Sequence, residues 1–512
     1  MKGASMSDET SSQSTPTPAS AAPGAAPDAF ITIPADRRLA EPAAASALLS
    51  WKGEGRTIEY EATACHVDVR EDTGNLLGKM FSLSYVAMDD GEPDASRPVT
   101  FCFNGGPGCA SVPINFGGVG PRRVVTNGTS HVGRCVVEDN PCTLLVQSDL
   151  VFFDAPGTGF SSVAEGADTR KLFGVDGDAD AFCRAIQQWL QDNGRWSSPV
   201  YLLGESYGTL RNAVLMRLLG ERGVRVAGVT MLSAIFDWVQ TLPGEDLYYL
   251  GMVPTFAATA RHFGKAGAQA ASDDEWFDQA MEFTDQVMAP ALLAGDRLGQ
   301  GRDREVAEQL SSFIGIDADW IARHHLRVDL DEFRARLLAD EGRIIGRLDT
   351  RFSSDAYHPA QRSSDFLAAE DAADDAVESA WSAAFRTFLH DDLGYEAPAR
   401  YLNNNYYKVG VNWNWEHEVP GTGEKVAAPN VSFDIATALR RSPSTKLMIM
   451  GGRYDAATTY WNVVHDISCQ FLSDDIKRNV TWCRYGCGHM AYVDVPTLEA
   501  MAVDFERFYS QE

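Results

Sequence analysis

The chain has 512 residues, 45% of them hydrophobic, and its 71 acidic against 44 basic side chains give a formal charge of −27. That length and apolar content allow a large buried core, while the charge repels nucleic-acid phosphates and anionic membrane surfaces at long range. No apolar stretch approaches the roughly 20 residues of a membrane-spanning helix, so neither nucleic-acid binding nor stable membrane insertion is expected.

Residues 1–29 are dominated by Ser, Thr, Pro, Ala and Gly without an apolar signal core, which predicts a disordered or vector-derived tail. A complete chain of this kind is expected in the cytoplasm, and one trimmed of a signal peptide in the periplasm or outside the cell. Ile58 to Arg70 and Phe81 to Met88 alternate or cluster β-formers between Gly- and Asp-rich turns, predicting an antiparallel edge on a larger sheet. Val99 to Phe103, Leu150 to Phe153, Val200 to Leu203, Val226 to Leu232 and Leu447 to Met450 are short apolar runs spaced widely enough for crossover helices. They predict an α/β fold with a central mixed, mostly parallel sheet.

Asp178 to Asp192 places Phe182, Ile186, Trp189 and Leu190 on one helical face, with Asp176 or Asp178 as the expected N-cap. Leu210, Val214, Leu218 and Leu219 predict a second buried helix. From Leu242 to Ala399, Ala-rich and acidic helical stretches replace the strand signals, predicting a mostly helical cap inserted into the catalytic domain. The expected organisation is a tail over 1–29, the catalytic domain over 30–241 and 400–512, and the cap over 242–399. No internal repeat or long heptad specifies an oligomeric state.

Nine cysteines in a chain of this length are not a disulfide scaffold. Cys135 and Cys142 are close enough to close a short loop. Cys483, Cys487 and His489 lack an obvious fourth ligand, so no metal is expected.

The strongest chemical signal is Gly204-Glu205-Ser206-Tyr207-Gly208, entered from Val200-Tyr201-Leu202-Leu203. A strand running through such a pentapeptide into a helix is a nucleophile turn, with Ser206 exposed at its apex. A serine hydroxyl needs a base, and the base needs an acid to orient it. Asp455 follows the strand-like Leu447 to Met450, and His489 sits in the turn Gly486-Cys487-Gly488-His489-Met490, in the order nucleophile, acid, histidine. The readings left open for each alone are an ordinary strand-to-helix turn, a helix-capping aspartate and a structural histidine. Asn104-Gly105-Gly106-Pro107-Gly108 follows the strand of Val99 to Phe103 and offers exposed N–H groups. One of these, from Gly105-Gly106, joins the Tyr207 N–H as the expected oxyanion hole.

These segments, with Cys109-Ala110-Ser111, Asp154-Ala155-Pro156-Gly157-Thr158-Gly159-Phe160-Ser161 and Gly488-His489-Met490, resemble the serine carboxypeptidase family. The resemblance implies an α/β-hydrolase core with a helical cap, and removal of C-terminal amino acids through an acyl-enzyme without metal or organic cofactor. It implies Gly106 and Tyr207 as oxyanion donors, Asn104 and Glu205 as the groups that bind the free C-terminal carboxylate of a peptide substrate, and Met490 in the leaving-residue pocket. Two carboxyl groups in contact share a proton, which favours acidic pH. Ala110 where serine is usual, Gly208 where alanine is common, and Cys487 where alanine is frequent depart from the family pattern, and the sparse cysteines favour a bacterial-type member. An acyltransferase or small-ester hydrolase using the same triad remains open, as does a noncatalytic peptide-binding protein. Asn412-Trp413-Asn414-Trp415 is expected either to wall the substrate cleft or to anchor a domain junction.

Overall fold

A computed structural model describes residues 43–53, 55–356, 371–397 and 399–510. The tail expected over 1–29 lies outside them. Nine strands form the main path of the central sheet: β1 (Ala45–Gly53), β2 (Arg56–Arg70), β3 (Leu76–Asp89), β4 (Val99–Phe103), β5 (Asp149–Phe153), β6 (Val200–Glu205), β7 (Val226–Leu232), β8 (Lys446–Gly452) and β9 (Val480–Tyr485). Their order is β1-β2-β3-β5-β4-β6-β7-β8-β9, and two short strands, Glu92–Pro93 and Ser162–Val163, pair with β3. β1, β2 and β3 run antiparallel, and every pairing from β5 to β9 is parallel. This is an α/β-hydrolase architecture, with the predicted antiparallel edge extended by β1.

The five apolar runs read from sequence form β4 to β8, buried on both faces as crossover strands require. β9 is half exposed at the sheet edge, so Val480-Thr-Trp-Cys-Arg-Tyr carries no continuous apolar run.

Helices α1 (Val175–Asp192) and α2 (Tyr207–Glu221) cover one face of the sheet. The expected N-cap of α1 is corrected by the structure. Gly174 occupies that position without a side-chain cap. Asp178 turns inward to Arg211, at 2.6 Å, and Asp176 receives the Nδ1–H of His417 at 2.6 Å and the Glu418 N–H at 3.0 Å.

Between β7 and β8 the chain is mostly helical. α3 (Asp246–His262) and the short helices that follow share a core of their own, reaching Ile345 and touching Ala456 and Trp461. A two-stranded ribbon, Arg343–Ile345 with Ser353–Asp355, closes that region. α4 (Glu378–Thr387) instead packs Trp381 and Phe385 into the core on the second face of the sheet. The helices of the expected cap therefore divide between two cores. α5 (Ser432–Arg441) joins α1 and α2, α6 (Tyr460–Ser468) follows β8, and α7 (Val495–Ser510) packs on the second face. Among the described residues no helix is long and apolar enough to cross a membrane.

Candidate active site

β6 ends at Glu205 and α2 starts at Tyr207, leaving Ser206 alone at the turn with φ 59° and ψ −129°. A positive φ is costly for a residue with a Cβ, and such strain persists where surrounding packing over-determines it. The chain around it is closely packed. A Cβ on Gly204 would lie 2.4 Å from the Gly208 carbonyl oxygen, and one on Gly208 would lie 3.0 Å from that of Phe103. The second distance is tight but not prohibitive, so alanine at 208 would require the Phe103 carbonyl to give by a few tenths of an ångström.

The glycine turn after β4 lies directly on this elbow. A Cβ on Gly105 would be 2.4 Å from the Tyr207 amide nitrogen, so only glycine permits the approach. Gly106 has φ 106°. Among the described residues, neither the Gly106 nor the Tyr207 N–H has a hydrogen-bond partner, and both residues line the same cavity as Ser206.

His489 reaches that cavity from the loop after β9. Its Nδ1–H donates to Asp455 Oδ2 at 2.8 Å, and its side chain is 6% exposed against 0% for Asp455. Asp455 is fixed in turn, with Oδ1 accepting from the Ala457 and Thr458 N–H groups at 2.8 and 3.0 Å and the Thr458 hydroxyl 2.8 Å from Oδ2. Burial opposes a charge on His489, but the Asp455 carboxylate outweighs it and the imidazole is raised above its ordinary range. The loop is pinned from outside the β-sheet: the His489 N–H donates to the Leu348 carbonyl and the Gly488 N–H to Asp349.

Glu205 is 2% exposed. Its Oε2 accepts from Asn104 Nδ2 at 2.7 Å and from the Tyr492 hydroxyl at 2.8 Å. Burial, with the Asp455 charge adding to it, pushes this carboxyl up to about 7 against the opposing pull of His489, Tyr492 and Asn104. Asn104 is held at both ends of its amide, since its Oδ1 accepts the Ile114 N–H at 3.0 Å. Ser206, His489, Asn104, Gly106, Glu205, Tyr207 and Met490 all border one cavity of about 790 Å³, with Asp455 behind His489.

Residues 56–217 match the serine carboxypeptidase family model. Serine carboxypeptidase-like 50 of Arabidopsis thaliana is 31% identical over 186 residues, covering 34% of this chain and 39% of that protein. Pheromone-processing carboxypeptidase kex1 of Neosartorya fischeri is 27% identical over 175 residues, covering 34% and 25%. The chain thus spans less than half the length of these curated relatives. The crystal structure of a prohormone-processing carboxypeptidase from Saccharomyces cerevisiae superimposes with a TM-score of 0.50 at 13% identity, covering 88% of this chain and 91% of that one. At that identity the likeness shows the fold. The comparisons support a broad serine carboxypeptidase and hydrolase kinship, and because the matched relatives are plant and fungal they give the expected bacterial branch no support.

Of the two readings of the tryptophan segment, the structure favours the junction. Trp413 and Trp415 do not line the cavity. Trp413 Nε1 donates to the Tyr207 hydroxyl at 3.1 Å, and Trp415 stacks at 3.7 Å on Trp238, which does line it. All nine cysteines are free, so the suggested Cys135–Cys142 closure is absent. Cys487 is fully buried and burial raises its thiol far above the reactive range.

Several positioning residues carry no sequence signal. Arg211, one turn into α2, pairs with Asp178, donates to the Asn104 carbonyl at 3.0 Å and lies 4.1 Å over the Phe182 ring. Ser233 Oγ donates to the His489 carbonyl at 2.6 Å. Tyr492 lies three residues after His489 outside any motif, and only the fold brings its hydroxyl to Glu205.

Proposed function

We propose that the chain is a serine-type carboxypeptidase. The carrying observation is the buried Asn104–Glu205 pair, which opens on the same cavity as Ser206 and His489. A simple esterase needs the nucleophile, base and oxyanion donors but no buried carboxyl holding a proton near neutrality. A substrate ending in a free carboxylate does need one.

In this reading Ser206 Oγ attacks the last peptide carbonyl while His489 Nε2 takes its proton, and Asp455 stays ionised to hold the imidazole and stabilise its cation. Oxyanion charge develops against the Gly106 and Tyr207 N–H groups. His489 then protonates the leaving amine, and water, activated by the same imidazole, hydrolyses the acyl-enzyme. Asn104 and protonated Glu205 hold the terminal carboxylate and so set the register at one residue. Met490 borders the leaving-residue pocket. No cofactor takes part in these steps.

The test is mass-spectrometric product analysis of wild type and Ser206→Ala on matched free-acid and amidated peptides. Ser206-dependent loss of single residues from free acids alone is the expected result. Equal trimming of amides, or cleavage of simple esters without peptide trimming, would overturn the reading.

A further inference from the structure

The cavity wall is chemically lopsided. Asp329, Asp331, Asp371, Asp374, Asp375 and Glu378 border it, whereas Arg347 is the sole Lys or Arg among the described lining residues. Four of these carboxylates are already engaged, Asp375 among them. Asp329 accepts from the Tyr248 hydroxyl at 3.2 Å and the Asp331 N–H at 2.9 Å, Asp331 pairs with Arg334 at 3.3 Å, and Asp371 accepts from the N–H groups of Arg347, Leu348 and Ala373. Asp374 and Glu378 differ. Among the described residues no hydrogen bond or salt bridge holds either carboxylate.

Their place in the fold matters as much as their charge. Glu378 opens α4, and residues three apart on a helix share a face, so it stands one turn before Trp381. The Trp381 ring lies 5.8 Å from that of Tyr492, whose hydroxyl donates to Glu205. The Asp374 charge is felt at both Tyr492 and Cys109, and the Glu378 charge at Cys109, three residues beyond Gly106. The two carboxylates therefore stand on the Asn104–Glu205 side of Ser206. Once Glu205 holds a substrate's terminal carboxylate, the side chain of the departing residue lies on that side.

We propose that Asp374 and Glu378 are specificity-determining residues that select a cationic departing residue, lysine or arginine, at the C-terminus of the substrate. This deepens the carboxypeptidase reading and rests on it. The ammonium or guanidinium supplies the counter-charge the wall lacks, while an apolar residue leaves the two carboxylates uncompensated and an acidic one adds to their repulsion. The raised proton affinity of Asp374 agrees with this: burial, then the charges of Glu378, Asp371 and Asp375, push its carboxyl up to about 7, with Arg347 opposing.

The experiment uses full-length protein and peptides differing only in the last residue, Lys, Arg, Leu or Glu, with a second set carrying the same changes at the penultimate position. The expected kcat/KM ratio of Lys or Arg over Leu is about tenfold or more at the last position, as for a partly desolvated charge pair. It falls toward one in Asp374→Asn/Glu378→Gln, and in wild type it shrinks as salt is added. Labelling of Ser206 by a fluorophosphonate checks that the variant is folded, and the salt series tests the inference without any variant. A flat ratio at the last position, or a charge preference that follows the penultimate residue, overturns the assignment. If wild type trims no peptide of either set, the carboxypeptidase reading itself has failed, whereas trimming without charge preference sinks only this inference.

Discussion

Asp455 Oδ2 accepts the Nδ1–H of His489 at 2.8 Å while its other oxygen accepts two backbone N–H groups, so the carboxylate cannot rotate away from the imidazole. The remaining ring nitrogen is thereby left free of the carboxylate, as the proposed role of His489 as base requires. Asparagine at 455 keeps the size of the side chain but turns an N–H toward Nδ1 or frees the ring. Asp455→Asn is expected to lower kcat about 10³- to 10⁴-fold with a much smaller change in KM. Steady-state kinetics on a free-acid peptide, alongside the rate of fluorophosphonate labelling, measure this; a loss under tenfold would remove Asp455 from the mechanism.

Glu205 predicts a particular pH dependence. Its carboxyl loses its proton at about 7, and only the protonated form donates to a substrate carboxylate. The ratio of kcat/KM for a free acid over its matched amide should fall as pH rises through about 7, and the ratio cancels the titration of His489, which both substrates share. In Glu205→Gln the ratio becomes independent of pH. The same group affects stability. A folded value above the ordinary 4.5 means that stability is full below 4.5 and declines as pH rises toward about 7. Thermal melts of Glu205→Gln should therefore lose less between pH 5 and 8 than those of wild type.

The core of this arrangement was legible because it depends on local chain chemistry. Val200 to Leu203 reads as a buried strand leading into the turn, Gly204 leaves no room for a Cβ beside Gly208, and Gly488 precedes His489 because a Cβ there would lie 2.5 Å from the Leu348 carbonyl oxygen. What could not be read were partners that meet only through tertiary folding. Leu348 and Asp349 hold the His489 loop from about 140 residues away. Asp178 looked like a helix cap because capping is the local use of an aspartate there; its burial against Arg211 is decided by the packing of α1 on α2. β1 and β9 carry a weaker local signal for a related reason, being the two edge strands, which bury only part of their residues and expose even Leu48 and Trp482.

The Asp178–Arg211 pair is fully buried, and Arg211 also carries the Asn104 carbonyl at the start of the glycine turn. Removing one partner leaves a buried charge uncompensated, whereas replacing both with apolar groups removes the desolvation problem. Arg211→Met is expected to destabilise by about 3–5 kcal/mol and to impair turnover by loosening Asn104. Asp178→Leu combined with Arg211→Met should recover more than half of the stability but not the activity. Urea unfolding of the single and double variants decides this, and additive losses would show that the pair is not coupled.

His417 is an imidazole the chemistry does not use. It is fully buried and donates from Nδ1 to Asp176 at 2.6 Å and from Nε2 to Asp434 at 2.8 Å, tying the start of α1 to α5. Burial disfavours its charge, but hydrogen bonds to the two carboxylates and their field outweigh burial and raise it to about 9. A histidine whose folded value exceeds its ordinary 6.5 contributes stability that is complete below about 6.5 and is lost as pH rises through about 9. His417→Gln retains one hydrogen bond to a carboxylate but no charge. The Tm difference between wild type and this variant should be greatest near pH 6 and close to its minimum by pH 10, and a difference independent of pH would mean that His417 is neutral in the folded protein.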